Sequence, residues 1–105
     1  MLRKITDDEL RLLKHLMHLA NLNISLEKLM VSNMDDGGMG SLILYPTGKI
    51  TEKAYGSTAS EVEFRDADRS PVLASLNLDT NGELFELDIW KINFDPLKKI
   101  PETFS

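Results

Sequence analysis

The chain has 105 residues, a formal net charge of −5 and 42% hydrophobic residues, which is the composition of a soluble globular protein and excludes a disordered polymer. The absence of cysteine excludes a disulfide framework and any thiolate metal site, and no apolar run approaches the roughly 20 residues that span a bilayer. A chain of this length builds one core, so we expect a single domain over residues 1–105. The start of the chain lacks the apolar core of a secretory signal, which predicts a cytoplasmic location.

Negative charge is concentrated in the second half of the chain. Residues 57–90 contain eight acidic side chains against two arginines. Such a surface repels nucleic acid and attracts basic proteins, chiefly by raising the rate of association. The alternative is that the acidity only keeps a small protein soluble, since exposed charge is the default for a soluble surface.

Residues 6–20 are predicted to form an amphipathic helix. Thr6 and Glu9 match a capping box, and the acidic residues between them suit the positive end of the helix dipole. At about 100° per residue, one apolar stripe faces the core. The stripe consists of Leu10, Leu13, Leu16, Met17 and Ala20, widened by Leu12 and Leu19.

Short strands are predicted after the helix. They cover residues 29–33, 41–45 and 61–65, while residues 49–60 form either a ragged edge strand or a loop. The sequence DDGGMG between the first two, residues 35–40, is rich in glycine and predicts a turn. Alternation in the third strand turns Val62 and Phe64 inward.

The segment from Val72 to Phe94 predicts a β-hairpin with an Asn81-Gly82 turn, because Asn-Gly between alternating apolar residues is a strong hairpin signal. A loop of two or four residues places both apolar sets on one side of the sheet, whereas an odd loop would need a bulge to restore the phase. The predicted core face consists of Val72, Ala74, Leu76, Leu78, Phe85, Leu87 and Ile89. Ile92 and Phe94 are expected to extend the second strand. The predicted fold is α+β, with one N-terminal helix packed on a mainly antiparallel sheet of about four to six strands.

The other face of the hairpin carries the candidate binding residues Asn77, Glu86, Asp88 and Trp90. Two carboxylates at i and i+2, about 7 Å apart, can act as acid and base or hold a divalent cation. An aromatic residue within an acidic rim is also typical of a docking patch for a basic protein. The alternative is a solvated sheet face on which Trp90 packs against the C-terminal tail, residues 94–104.

The turn at Asp35, Asp36, Gly37 and Gly38 is a second candidate, because consecutive glycine amides can cradle an anion. It lacks the Lys-Ser/Thr ending of a phosphate-binding loop, which favours a structural turn in which an aspartate bonds the backbone.

Two further patterns resemble metal sites. His15 and His18 lie at i and i+3 on the helix, but no carboxylate near them in sequence is phased to complete a ligand set, which favours a solvated face. Residues 66–70 begin like a calcium loop, but Pro71 occupies the position that requires glycine and Asn77 the position that requires a bidentate glutamate. We therefore predict no metal ligand and interpret residues 66–70 as a turn.

Two blocks of the sequence resemble an uncharacterised bacterial family of domains of unknown function. They are the DDGGMGS turn at residues 35–41 and the GELFELDxWKxxFxPL block within residues 75–97. The resemblance implies a common fold and carries no activity, cofactor or site residue.

The sequence therefore favours a small acidic protein-binding module, of an immunity-like or adaptor kind, in which Glu86, Asp88, Trp90 and Asn77 contact a basic protein partner. No catalytic residue or cofactor is predicted. The alternative is a small enzyme or divalent-metal-binding domain that uses the clustered acids at residues 35, 36, 86 and 88. An exposed edge strand within residues 49–60 would permit a homodimer by sheet extension.

Overall fold

The structure, a computed structural model, describes residues 1–104 and contains one helix and five strands. They are α1 (Asp7–Leu19), β1 (Met30–Asn33), β2 (Leu42–Tyr45), β3 (Tyr55–Arg65), β4 (Pro71–Asp79) and β5 (Leu84–Lys91). The strands form one antiparallel sheet in the order β1-β2-β5-β4-β3, and α1 packs across β3 and β4. The predicted α+β fold is confirmed. Within the described residues, no helix is both long and apolar enough to cross a membrane.

Helix α1 begins as its sequence predicts. The Thr6 hydroxyl accepts a hydrogen bond from the Glu9 amide at 3.2 Å, and the Glu9 carboxylate accepts one from the Thr6 amide at 2.9 Å. This reciprocal pair satisfies two amides that the first turn leaves without helical partners. Asn21 follows the helix with φ of +55°, a left-handed conformation that ends it.

The buried stripe of α1 is narrower than periodicity predicts. Leu12, Leu13, Leu16 and Met17 are buried, whereas Leu19 is exposed. Including Leu19 in the core was therefore wrong. Helical spacing identifies a stripe but does not tell which of its edges the sheet covers.

The hairpin between β4 and β5 closes at the pair Asp79 and Glu83, which leaves three residues in the loop. It is thus an odd loop with a bulge and not the loop of two or four residues that we preferred. The Asp79 amide donates to the Glu83 carbonyl at 2.9 Å, and the Gly82 amide donates to the Asp79 carbonyl at 3.0 Å. Gly82 has φ of +78°, the left-handed position that this loop requires. The Asp79 carboxylate accepts hydrogen bonds from the Asn81 and Glu83 amides and so fixes the turn.

A β-bulge at Phe85 restores the phase that the odd loop shifts. Leu78 pairs with Leu84, while Asn77 pairs with Glu86, so Phe85 has no partner on β4. Leu84 is consequently buried and Phe85 only half-buried, which corrects the assignment of Phe85 to the core. The rest of the predicted inner face is in place, since Val72, Ala74, Leu76, Leu87 and Ile89 are all buried and Leu78 packs against the same core.

Lys53 lies beside the bulge, at the point where the pairing of β2 with β5 ends. Its ammonium group donates to the Leu44 carbonyl at 2.9 Å and to the Leu84 carbonyl, and it lies about 6 Å from the ring centres of Tyr45 and Phe85. Burial lowers the pKa of Lys53, although nearby carboxylates oppose that shift. The lysine thus satisfies carbonyls at a point where pairing between β2 and β5 stops.

The C-terminal tail follows the core side of the sheet. Strand β5 ends at Lys91, and Phe94 adopts φ of +63°, so the predicted extension of the strand through Ile92 and Phe94 was wrong. Ile100 is buried, and Phe104 packs on the rings of His15 and Phe64. The tail therefore leaves the other face of the sheet open.

Candidate functional site

Three rows of side chains cross the sheet face opposite α1, the outer face. The pairing of β3, β4 and β5 fixes the rows. They are Thr58, Asn77 and Glu86; then Glu61, Ser75 and Asp88; then Glu63, Leu73 and Trp90. The register thus brings together the four residues that the sequence nominates for binding, in two polar rows and one apolar row.

The apolar row continues into an exposed apolar patch formed by Leu73, Trp90, Ile92 and Phe94. All four side chains are exposed, Trp90 at 49% and Phe94 at 66% of their surface. The Trp90 and Phe94 rings lie with their centres 6.0 Å apart. A cavity of about 160 Å³ opens between Trp90, Leu73 and Ile92, and the Glu63 side chain lies at its wall. Phe94 thus packs beside Trp90 with its ring tilted, while Phe104 at the other end of the tail packs on the core side.

The carboxylates of the outer face have few internal partners. Glu61 accepts a hydrogen bond from Ser75 at 3.0 Å, and Glu86 accepts one from Asn77 at 3.4 Å. Asp88 Oδ1 lies 3.2 Å from the hydroxyl of Ser41. Each of these carboxylates keeps an oxygen that can accept a hydrogen bond from a partner.

Asn77 belongs to the framework beneath this surface. It is 7% exposed, and its carbonyl oxygen accepts a hydrogen bond from Thr58 at 2.9 Å while its amide donates to Glu86. The Tyr55 hydroxyl in turn lies 2.9 Å from that of Thr58. Asn77 therefore holds Glu86 in place across β4 and β5, and its own polar atoms are already used.

The glycine-rich turn contacts the C-terminal tail at Gly38, while Asp35 and Gly37 face solvent. Asp36 Oδ2 accepts a hydrogen bond from the Ser41 amide at 2.8 Å, which is the backbone bond that turn chemistry predicts. Gly37 and Gly38 both have positive φ, and the Gly38 carbonyl accepts from the Leu97 amide at 3.0 Å. A side chain at Gly38 would press on Pro96 at 3.2 Å. The glycines therefore allow the turn to seat the tail, and Asp35 is left exposed beside it.

Of the four acids named in the metal-binding alternative, only Asp36 and Asp88 are connected in the structure. Ser41 joins Asp36 to Asp88, because its amide bonds the first and its hydroxyl lies beside the second. Among residues 1–104, no three His, Asp or Glu side chains lie close enough together to hold a metal ion. His15 stacks on the Phe104 ring at 4.9 Å and is half-buried, so the solvated face expected for it is only partly present.

A buried ion cluster on the core side is the feature that the sequence interpretation missed. Lys91 Nζ lies 2.8 Å from Asp66 and 2.8 Å from Asp68, and neither the lysine nor the Asp66 side chain has exposed surface. Asp66 also accepts the backbone amides of Lys98 and Lys99, each at 2.8 Å. The turn of residues 66–70 therefore fastens the C-terminal tail to the end of β5. The alternation of side chains along β5 could have revealed the cluster, since Lys91 shares a strand face with Leu87 and Ile89 and therefore points toward the core.

The cluster shifts the pKa values of its members toward the charged forms. Burial alone would raise the pKa of Asp66, but the Lys91 ammonium and three backbone amides outweigh it and lower that pKa. The Lys91 ammonium lowers the pKa of Asp68 to about 2. Burial would lower the pKa of Lys91, yet its two carboxylates raise it. All three pKa shifts favour the charged forms, as the ion pairs and backbone hydrogen bonds of a structural link require.

Comparison with known protein families gives a match over most of the chain. The model of the family described as domain of unknown function DUF6984 matches residues 2–101. No curated protein and no solved structure matches the chain. The chain belongs to this family, and the membership extends over almost the whole fold without assigning an activity.

Proposed function

We propose that this member of the DUF6984 family is a small protein-binding module, of an adaptor or immunity-like kind, whose outer face docks on a basic protein. The observation that carries the proposal is the exposed apolar patch within an acidic surround. A soluble protein rarely leaves adjoining large apolar side chains uncovered unless they meet a partner. The proposal places the protein in the cytoplasm, and a chain without cysteine is compatible with a reducing compartment.

The composition of the patch fits an interface centre. Tryptophan is enriched among residues whose truncation costs most of the binding energy, and such residues sit at the middle of a contact surrounded by groups that exclude water. Trp90 has this position, with Leu73 beside it on β4 and Ile92 and Phe94 following it along the chain. Half of its surface is available for burial.

The charges around the patch select the partner. Glu61, Glu63, Glu86 and Asp88 project from the same face, whose polar rows lie directly beside the apolar row. Complementary charge mainly accelerates encounter and rejects partners of the wrong sign. A lysine- or arginine-rich protein surface is therefore the expected counterpart, and association should slow as salt concentration rises.

The size of the cavity favours a protein partner over a small ligand. Sites for metabolites typically enclose about 300–1,000 Å³, whereas the cavity beside Trp90 has about 160 Å³. Such a space suits one inserted side chain. A long basic side chain would lay its methylene groups on Leu73 and Ile92 and bring its charge to Glu63.

Affinity capture from the native cytoplasm, followed by mass spectrometry, tests the proposal. We would compare the wild-type chain with Trp90→Ala and with the double variant Glu86→Lys/Asp88→Lys. A matched control, Glu27→Lys/Glu52→Lys, changes the net charge equally at exposed positions outside the outer face. The partner should be basic, should be lost with both outer-face variants and should be retained by the control.

A direct binding measurement completes the test. Trp90 is the only tryptophan in the chain, so its emission reports occupation of the patch. Addition of the recovered partner should shift that emission to shorter wavelength, and the double variant should bind at least about tenfold more weakly. The docking proposal fails if the double variant recovers the same partners as the wild type with unchanged affinity.

A further inference from the structure

We propose that two copies of the chain join through the open edge of β3, antiparallel about a twofold axis at Glu63, to form one continuous sheet. This contact pairs the edges of two sheets and engages only the outer-face side chains of β3 itself. It therefore goes beyond the docking proposal, and it leaves the apolar patch and the acids of β5 free on the same side of the assembly in both copies.

The backbone groups at this edge can be assigned from neighbouring hydrogen bonds. The Asp66 amide donates to the Ser70 carbonyl, and the Pro71 carbonyl accepts from the Ile92 amide, so Pro71 faces β5 and not β3. Pairing from Ser60 to Arg65 shows no register shift. Because successive residues of a strand point their amides and carbonyls to opposite sides, those of Glu61, Glu63 and Arg65 point to the open edge.

This edge is the one that the fold leaves open. Strand β1, at the other end of the sheet, exchanges two backbone hydrogen bonds of 2.8 Å with Arg3. Strand β3 is irregular between Tyr55 and Ser60, where two register shifts interrupt its pairing with β4. Residues 49–60, where the sequence suggested an edge, are thus poorly suited to pairing. The regular segment 60–65 is suited to it, because flat and unbroken edges recruit other strands.

The charges of the segment are self-complementary in one register. With the axis at Glu63, Glu61 of each copy lies opposite Arg65 of the other. The residues whose backbone groups point to the open edge then lie opposite one another. Val62 and Phe64 then face one another across the core side. The pairs 61 with 65, 63 with 63 and 65 with 61 each exchange two backbone hydrogen bonds. Arg65 uses one nitrogen on the Arg69 carbonyl at 2.9 Å, which leaves other donors of its guanidinium for Glu61.

Two neighbouring registers are less favourable. An axis at Val62 sets Glu61 opposite Glu63, and like charges directly opposite are destabilising. An axis at Phe64 pairs Glu63 with Arg65 but shortens the ladder to residues 63–65, because β3 ends there. The axis at Glu63 has one unfavourable pair, Glu63 with itself. Removal of that charge is expected to strengthen the dimer.

Sedimentation equilibrium on the full chain, with variants at the ends of the segment, tests the dimer. Wild-type chain should show a concentration-dependent monomer–dimer equilibrium. Glu61→Arg and Arg65→Glu each replace two attractive pairs with two repulsive ones and should each weaken dimerisation at least about tenfold. Glu63→Gln should strengthen it, and Glu27→Arg, a charge reversal of the same type away from the edge, should leave it unchanged.

Mixing the two weakened variants provides the decisive result. Glu61→Arg and Arg65→Glu are complementary to each other, so an equimolar mixture should form a mixed dimer at concentrations where each alone is monomeric. Simple unfolding of either variant cannot produce that rescue. Wild-type chain that remains monomeric up to about 1 mM would overturn the proposal, as would a mixture without dimer. A dimer unaffected by Glu61→Arg would also overturn it, because the axis would then lie elsewhere.

Discussion

Two acidic pairs lie at opposite surfaces of β5, and their surroundings differ. Asp66 and Asp68 hold the buried Lys91 on the core side, where Asp66 also accepts backbone amides of the tail. Glu86 and Asp88 project from the outer face, with one long or weak hydrogen-bond contact each. Both pairs come from the same acid-rich half of the chain, yet Asp66 has no exposed surface and Asp68 is engaged by Lys91, whereas Glu86 and Asp88 have no cationic partner within residues 1–104.

The difference shows that an acidic residue can be assigned to the framework or to a binding surface only after its partners are known. A buried carboxylate requires an opposite charge and hydrogen-bond donors, so it becomes part of the framework. An exposed carboxylate requires neither and can still accept hydrogen bonds from another molecule. Asn77 lies between these cases, because it is buried beneath the outer face while its amide orients Glu86.

The largest expected effect is at Asp66, the buried carboxylate of the ion cluster. Asp66→Ala leaves Lys91 with one carboxylate and frees the amides of Lys98 and Lys99, so we expect a loss of roughly 3 kcal/mol in the free energy of unfolding. Urea denaturation followed by circular dichroism measures it. Asp95→Ala, at an exposed position, is the control and should change stability by less than about 0.5 kcal/mol. If the two variants lost equal stability, Asp66 would contribute no more to the framework than an exposed acid does.

Acid should weaken the contacts of Lys91 with Asp66 and Asp68. Asp68 has its pKa lowered from 3.8 to about 2, so its contribution is complete above about pH 4 and is lost as pH falls toward 2. The lowered pKa of Asp66 acts in the same direction. Asp68→Asn should therefore flatten the decline in stability over this range, as measured by denaturation at a series of pH values. A variant with the wild-type slope would show that the Lys91 contact does not lower the pKa of Asp68.

Truncation of Asn77 should give an intermediate effect. Asn77→Ala leaves Thr58 without its acceptor and Glu86 without its donor, so we expect a loss of about 1–2 kcal/mol in stability. Thermal or chemical denaturation measures the change. Partner binding should weaken less than in the Glu86→Lys/Asp88→Lys variant, since Asn77 positions a contact residue and offers little surface itself. Binding lost completely in a folded Asn77→Ala protein would instead identify Asn77 as a contact.

The smallest effect on stability is expected at the outer pair. Glu86→Gln/Asp88→Asn removes two exposed charges and should change the free energy of unfolding by less than about 0.5 kcal/mol. The same variant should bind the basic partner more weakly and with less dependence on salt. A large loss of stability would place these acids in the framework, and the contrast with Asp66 and Asp68 would disappear.

Local patterns predicted most of the fold. The capping box starts α1, alternation identifies the inner residues of β4 and β5, and the Asn-Gly turn locates the hairpin. The errors in the hairpin concern its backbone, which alternation does not specify. The loop closes at the local pair Asp79 and Glu83, while the bulge at Phe85 lies beside a distant contact, the Lys53 ammonium group on the Leu84 carbonyl.

The sequence predicted which residues share the face of the candidate site but not whether that face is exposed. Alternation alone places Glu86, Asp88 and Trp90 on one face, because the side-chain period of a strand is two. Whether the tail covers Trp90 depends on where residues 94–104 travel, and no local pattern contains that information. The ion cluster decides it, because Asp66 fastens the tail on the core side and so leaves the apolar patch exposed.

The sequence by itself therefore determined most of the elements, the two faces of the hairpin and the acidic character of one of them, since these follow from neighbouring residues, but it left the first half of β3 open. Tertiary structure decided which acids are buried, which strand forms the open edge and which aromatic residues remain uncovered. These properties depend on pairs far apart in the chain, such as Lys91 with Asp66 and Arg3 with Val31. Such pairs are fixed only when the sheet order brings their strands and loops together.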